Sequence, residues 1–300
     1  EYVNEHITFE KEGNTLLFFI MKQTPYLFLL PSILILAFTS LYPICYSIYY
    51  SFFNWRWGDE KDFVGLKNYI TLISDKEFWI IVKNTFIFAF FACFFEIVIG
   101  VLLAIYIDRI KIGSTIIRTI LLIPLMVSGI SVTMLFKVML DNMFGIVPYF
   151  LSFIGIKSNF FGSYTAAMPT IIGLDVWWQT SFVFIIILAG LKSIPNEPIE
   201  AAKMDGASEW EITRYIRLPM IKSLLFLVLI FRSIDTLKVF DIVWGTTGGG
   251  PGLATEALQT YAYRVAYSFL EMSKSMTIMV LFSIVVIFLT ILYSKLNKDL

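Results

Sequence analysis

The chain is poor in the residues that carry out chemistry. Its single histidine, His6, sits in a polar N-terminal tail, so the body of the chain has no imidazole to act as base or metal ligand. Its two cysteines, Cys45 and Cys93, lie inside long apolar runs, where neither a disulfide nor a metal site is expected. Charged residues make up only 15% and sum to zero, which removes the electrostatic case for nucleic acid. One glycine-rich stretch exists, but no lysine follows it at the spacing of a phosphate-binding loop, so this chain is not expected to bind ATP itself. No basic segment with a small-residue cleavage site precedes the first apolar run, so a cleaved signal peptide is not expected. The chain starts at Glu1 rather than Met, which leaves room for preceding residues.

What the chain has in quantity is apolar sequence: 58% of its 300 residues are hydrophobic. Runs of about 20 apolar residues recur, each long enough to cross ~30 Å of hydrocarbon. They predict an all-α integral membrane protein with six transmembrane helices, near 26–53, 79–107, 115–139, 165–191, 220–243 and 273–294. The first two exceed the minimum, so tilt or extension beyond the bilayer is expected. Prolines at 31, 43, 124 and 169 should kink spans or mark their ends. Lys and Arg are more numerous in the segments that share a side with residues 193–219, which places both termini in the cytoplasm. The chain then divides into a cytoplasmic tail, 1–24, a six-span domain, 25–294, and a cytoplasmic C-terminal tail, 295–300.

The longest polar segment between spans reads PNEPIEAAKMDGASEWEITRYIRLP, residues 195–219. Asn196 can cap a first helix, with Glu197 and Glu200 near its positive end. Gly206 can end that helix by taking positive φ. Ser208 can open a second helix, with Glu211 completing a capping box. Ile212, Tyr215, Ile216 and Pro219 then fall on one stripe. Two short capped helices meeting at a glycine predict a compact knob on the cytoplasmic side.

This segment resembles the EAA loop of the permease subunits of binding-protein-dependent ABC importers. Glu200-Ala201-Ala202, Asp205-Gly206-Ala207 and then Ile216, Leu218 and Pro219 stand at that family's spacings. The resemblance implies the type I importer permease fold and makes loop 193–219 the coupling element that seats in a cytoplasmic ATPase. It also implies a second homologous permease subunit, two ATPase subunits that bind ATP and Mg, and an extracytoplasmic solute-binding protein. A bacterial cytoplasmic (inner) membrane is the implied location. Within the knob, Glu200 is the residue expected to pair with a basic group on the ATPase.

Other stretches resemble the sugar-type branch of the family: residues 25–55, FVGLKNY at 63–69, and TGGGPG, whose Gly248, Gly249, Gly250, Pro251 and Gly252 would face the binding protein. They imply a sugar or oligosaccharide as cargo. Maltose-type relatives can carry extra spans and a large outer insert. Here the outer loops are short, so contact with a binding protein falls to small elements. Residues 62–73 read as a short surface helix, and an interfacial helix is expected from about 254 onward.

At membrane depth, span five carries Arg232, Asp235, Lys238 and Asp241. Either they pair locally, Arg232 with Asp235 and Asp235 with Lys238, or they line a polar path. In span four, Asp175, Trp177, Trp178 and Gln179 suit a saccharide, whose C–H faces stack on aromatics and whose hydroxyls bond to acids and amides. The alternative is an aromatic belt at headgroup depth. Glu96 in span two is a further candidate whose sequence context names no partner. Two rival functions remain open: an ion-coupled secondary transporter, with the span-five charges as a relay, and a non-transporting scaffold or receptor.

Overall fold

A computed structural model describes residues 28–110, 112–156 and 159–298. The expected tail 1–24 with His6, and also Lys111, Lys157 and residues 299–300, lie outside the described residues. The described chain is helical apart from a two-stranded antiparallel hairpin that pairs Phe53 with Phe63 and Asn54 with Asp62. That hairpin corrects one expectation. Asp62 and Phe63 are strand, and the short helix, α2, runs only over Lys67–Ser74.

Among the described residues, four helices are long and apolar enough to cross a membrane: α1 (Phe28–Tyr50), α3 (Lys76–Arg109), α7 (Ala167–Lys192) and α13 (Met272–Lys298). Between α3 and α7 stand α4 (Ser114–Leu122), α5 (Gly129–Met139) and α6 (Ile146–Phe153). The expected third span is broken. A 3₁₀ turn at Pro124–Met126 and the cap Ser128 set α4 and α5 at 96° to each other. Proline supplies no amide to the ladder, which explains the break.

The expected fifth span is also divided. Its membrane helix α10 covers Lys222–Leu237, and a six-residue helix α11, Asp241–Thr246, follows a break at 238–240. At ~1.5 Å per residue, the 16 residues of α10 span about 24 Å, so the remaining depth is covered by the irregular segment and α11.

The 34-residue α3 is the axle of the molecule. Near its start, Phe78 and Ile81 pack with Tyr261, Val265, Ile278 and Phe282; at mid-length, Phe88 and Ala92 meet Ile171, Ile172 and Ile242; near its end, Ala104 and Ile107 meet Phe184, Ile187 and Leu191. Helix α7 lies so close to it that a methyl on Gly100 would come within 2.7 Å of Val183. By contrast, among the described residues no position in the apolar window of α1 is buried.

The helix expected from about 254 onward starts at 258, as α12 (Leu258–Tyr267), with one face buried in the bundle and Tyr263 and Tyr267 exposed. Leu258, Tyr261, Ala262 and Val265 are buried against α3 and α13. The segment before it, 254–257, is buried without being helical. Buried irregular backbone is tolerated where its polar groups find partners, and the Leu258 amide donates to the Thr85 hydroxyl at 2.9 Å.

Candidate functional site

The polar knob forms as a helical hairpin. Helix α8 covers Asn196–Met204, and Pro195, not Asn196, occupies its cap position without a side-chain bond. The expected Asn196 cap is therefore absent; the proline lets the helix begin one residue earlier. Its other end is a Schellman closure. Gly206 takes φ +82°, its amide donates to the Lys203 carbonyl at 3.1 Å, and the Ala207 amide donates to the Ala202 carbonyl at 2.9 Å. A residue with a Cβ would be strained at that φ although the space around it is empty.

Helix α9, Glu209–Ile212, opens with the expected capping box. The Ser208 hydroxyl accepts from the Glu211 amide at 3.3 Å, and the Ser208 amide donates back to the Glu211 carboxylate at 2.8 Å. The Ser208 hydroxyl, donating to the Glu211 carboxylate at 2.6 Å, and then the Ser208 amide hold that carboxyl below the usual range. The expected apolar stripe does not survive. A π turn over Thr213–Arg217 inserts extra rotation, so Ile212, Thr213 and Arg217 are buried while Tyr215 and Pro219 are exposed.

Within the knob, Glu209 accepts from Lys203 at 3.0 Å and Arg217 at 3.3 Å, and the hydrogen bond from Lys203 chiefly holds its carboxyl below the usual range. Arg109, at the end of α3, donates to the Thr213 hydroxyl at 2.9 Å. The knob is thus bolted to the longest helix. Its outward surface presents Glu200, Asp205, Met204, Trp210 and Tyr215, all exposed.

Deep in the helical body lies the second feature. Arg232 on α10 is 3% exposed and holds carboxylates from three helices. It donates to both oxygens of Glu96 on α3 at 2.5 and 2.9 Å, to Asp235 at 2.6 Å and to Asp175 on α7 at 3.4 Å. Glu96 thereby finds the partner that its sequence context did not reveal. One of the two expected local pairs forms, Arg232 with Asp235. Lys238 has no carboxylate within 4.0 Å among the described residues, because α10 ends at Leu237 and the backbone turns away.

Beside this cluster opens a cavity of about 270 Å³, with Asp175, Trp178, Gln179, Asp235, Lys238 and Asp241 in its wall. Arg232 lines it too, so seven of the eight residues expected at membrane depth on spans four and five converge. Trp177 does not. It points away from the cavity, edge-on to Phe136 at 5.0 Å. Adjacent positions on a helix are ~100° apart, so Trp177 and Trp178 cannot share one face. The Trp178 indole donates to the Val127 carbonyl at 3.1 Å, fixing its ring in the wall. The sequence reading also missed Phe240, which lines the same cavity.

The glycine-rich loop is more enclosed than expected. Gly249, at φ +87°, is buried, and a Cβ there would collide with the Glu256 carboxylate. Glu256 is itself fully buried, which pushes its carboxyl above the usual range, and it faces Arg264 at 2.6 Å. Arg264 also donates to the Gly248 carbonyl. Of the five loop residues only Gly252 is exposed; Gly248, Gly250 and Pro251 are half-buried. Among the described residues, no group of three or more His, Cys, Asp or Glu side chains is arranged to hold a metal ion.

Residues 96–299 match the family described as binding-protein-dependent transport system inner membrane component. The trehalose/maltose transport system permease protein MalF of Thermococcus litoralis is 36% identical over 240 residues, 80% of this chain and 81% of that protein. A probable ABC transporter permease protein, y4oQ of Sinorhizobium fredii, is 32% identical over 254 residues, 84% of this chain and 82% of that one. In fold, the chain is similar to a crystal structure of a bacterial ABC transporter that imports the acidic polysaccharide alginate. The TM-score is 0.84 at 22% identity, covering 95% of this chain and 99% of that one.

Proposed function

The chain belongs to the family of binding-protein-dependent transport system inner membrane components, a multi-pass permease subunit of an ABC importer, and on that premise we propose that its cargo is a sugar or oligosaccharide. In this reading both termini and the knob 193–219 face the cytoplasm, and the glycine-rich loop faces outward. A second, homologous permease completes the pathway. Two ATPase subunits, which hold the ATP and Mg that this chain does not, clasp the knob from below, and a solute-binding protein delivers the saccharide from above. The observation that carries the coupling role is the knob itself: two capped helices closed at Gly206, tied to α3 through Arg109, with Glu200, Trp210 and Tyr215 displayed outward.

The mechanism follows from rigidity. A load applied to the knob passes through Arg109 into α3, and α3 packs along its whole length against the other helices. Closure of the ATPase pair therefore rocks a body and not a loop, and the cavity beside Arg232 opens alternately to the two sides. The test is ATP hydrolysis by the purified importer in lipid, with and without saccharide-loaded binding protein. Stimulation by the loaded protein is expected. Uptake that persists without ATP and collapses with an ion gradient would instead establish the secondary transporter.

A further inference from the structure

Four rings form a continuous series between the cavity and the end of α12 remote from the knob. Phe240, in the cavity wall, lies 6.0 Å from Trp244 with the two ring planes nearly parallel. Tyr263 meets both of them edge-on, Trp244 at 4.7 Å and Phe240 at 5.2 Å, and it meets Tyr267 at 4.6 Å with the planes tilted by 36°. Tyr263 and Tyr267 are four residues apart and so share one face of α12. The opposite face of that helix, with Leu258, Tyr261 and Val265, supplies the packing against α3 and α13. None of the four rings belongs to a buried core cluster. Exposure rises along the series, from half-buried Phe240 and Trp244 to Tyr263 at 38% and Tyr267 at 67%. The Arg264 guanidinium, anchored by buried Glu256, lies over the Trp244 ring at 5.9 Å from its centroid.

We propose that Tyr267, Tyr263, Trp244 and Phe240 form a stacking track that hands a neutral saccharide from the outer mouth into the cavity. This rests on the saccharide reading above. A pyranose has an apolar C–H face about the size of one ring, so rings whose centroids lie 4.6–6.0 Å apart let it pass from one exposed face to the next. Neutrality follows from the track's destination. Arg232 is occupied by three carboxylates, which leaves Lys238 as the one lining cation to meet an anion, beside Asp235 and Asp241.

The test uses the whole importer with its binding protein in proteoliposomes, supplied with radiolabelled maltose, trehalose, maltotriose or digalacturonate. Wild-type importer should accumulate at least one of the neutral sugars in preference to digalacturonate. Tyr263→Ala and Trp244→Ala should each lower kcat/KM for that sugar about threefold to tenfold, the loss of one aromatic contact, whereas Tyr263→Phe should keep it. The second permease should co-purify with every variant. Accumulation of none of the four compounds would overturn the saccharide reading itself. Preferred uptake of digalacturonate, or alanine variants as fast as wild type, would overturn the track alone. Loss of the second permease from the alanine variants would also overturn it, because the rings would then be a subunit interface.

Discussion

The knob and the membrane-depth cluster are built from the same parts, arginine and carboxylate, yet they behave as opposites. In the knob, Lys203 and Glu209 are each about half exposed, at 51% and 43%, and water competes for the bond between them. In the cluster, Arg232 and Glu96 are 3% and 0% exposed, so their pair is shielded from water, although Asp235 at the cavity wall is 57% exposed. Exposed pairs contribute about 0–1 kcal/mol and can be exchanged for a partner's charges. Breaking a buried pair leaves a charge stranded, at a cost of about 3–5 kcal/mol. The cluster thus fixes three helices, while the knob stays free to renegotiate its contacts.

The sharpest way to break this contrast is at Arg232. Arg232→Met should destabilise the protein by about 3–5 kcal/mol in thermal unfolding monitored in detergent, because Glu96 would be left buried and unpaired. Adding Glu96→Gln should recover much of that loss. No recovery would mean that packing, not charge, joins α3 to α10. Gly206→Asp should abolish uptake by the whole importer while the chain still reaches the membrane at normal levels, since φ +82° opposes a side chain and the partner's cleft must accept a carboxylate. Normal uptake by that variant would count heavily against the coupling role.

Smaller effects should appear at the knob's own bonds. Ser208→Ala removes the capping box and should cost about 1 kcal/mol, seen as earlier local exchange of the 209–217 amides. The smallest effect is that of pH at Glu209. Its carboxyl titrates below the ordinary value of 4.5, so its contribution is fully present above that pH and fades as pH falls through the lowered value. Glu209→Gln should therefore flatten the acid limb of knob stability and leave the neutral range nearly unchanged. An equally steep acid limb in that variant would assign the dependence to Glu211 or to another carboxylate.

Local rules made the knob legible before its structure was known. The Gly206 terminator and the Ser208–Glu211 box are decided within four residues, so spacing alone reveals them. The π turn at 213–217 is different, because nothing in TRYIR marks an inserted residue, and the stripe drawn through Tyr215 was lost with it. The apolar runs gave the spans, and Pro124 signalled the break between α4 and α5. The break after Leu237 carries neither proline nor glycine and could not be read. Glu96 lies 136 residues from Arg232, a pairing that only the packing of α3 against α10 creates. The packing of the helix at 258–267 could not be read, because the glycines and Pro251 before it mark where a helix can begin and not what covers its face.

The elbow between α4 and α5 carries one more implication. The first residue of α5 is Gly129, and a methyl group there would collide with an Asp241 oxygen and with the Trp178 ring. The bare hydrogen at that position is a keyhole into which two parts of the chamber wall are fitted. Because Trp178 also hangs from the Val127 carbonyl, just before the elbow, the bend and the chamber cannot drift apart independently. Any tug that straightens the elbow must retune the opening for cargo in the same stroke.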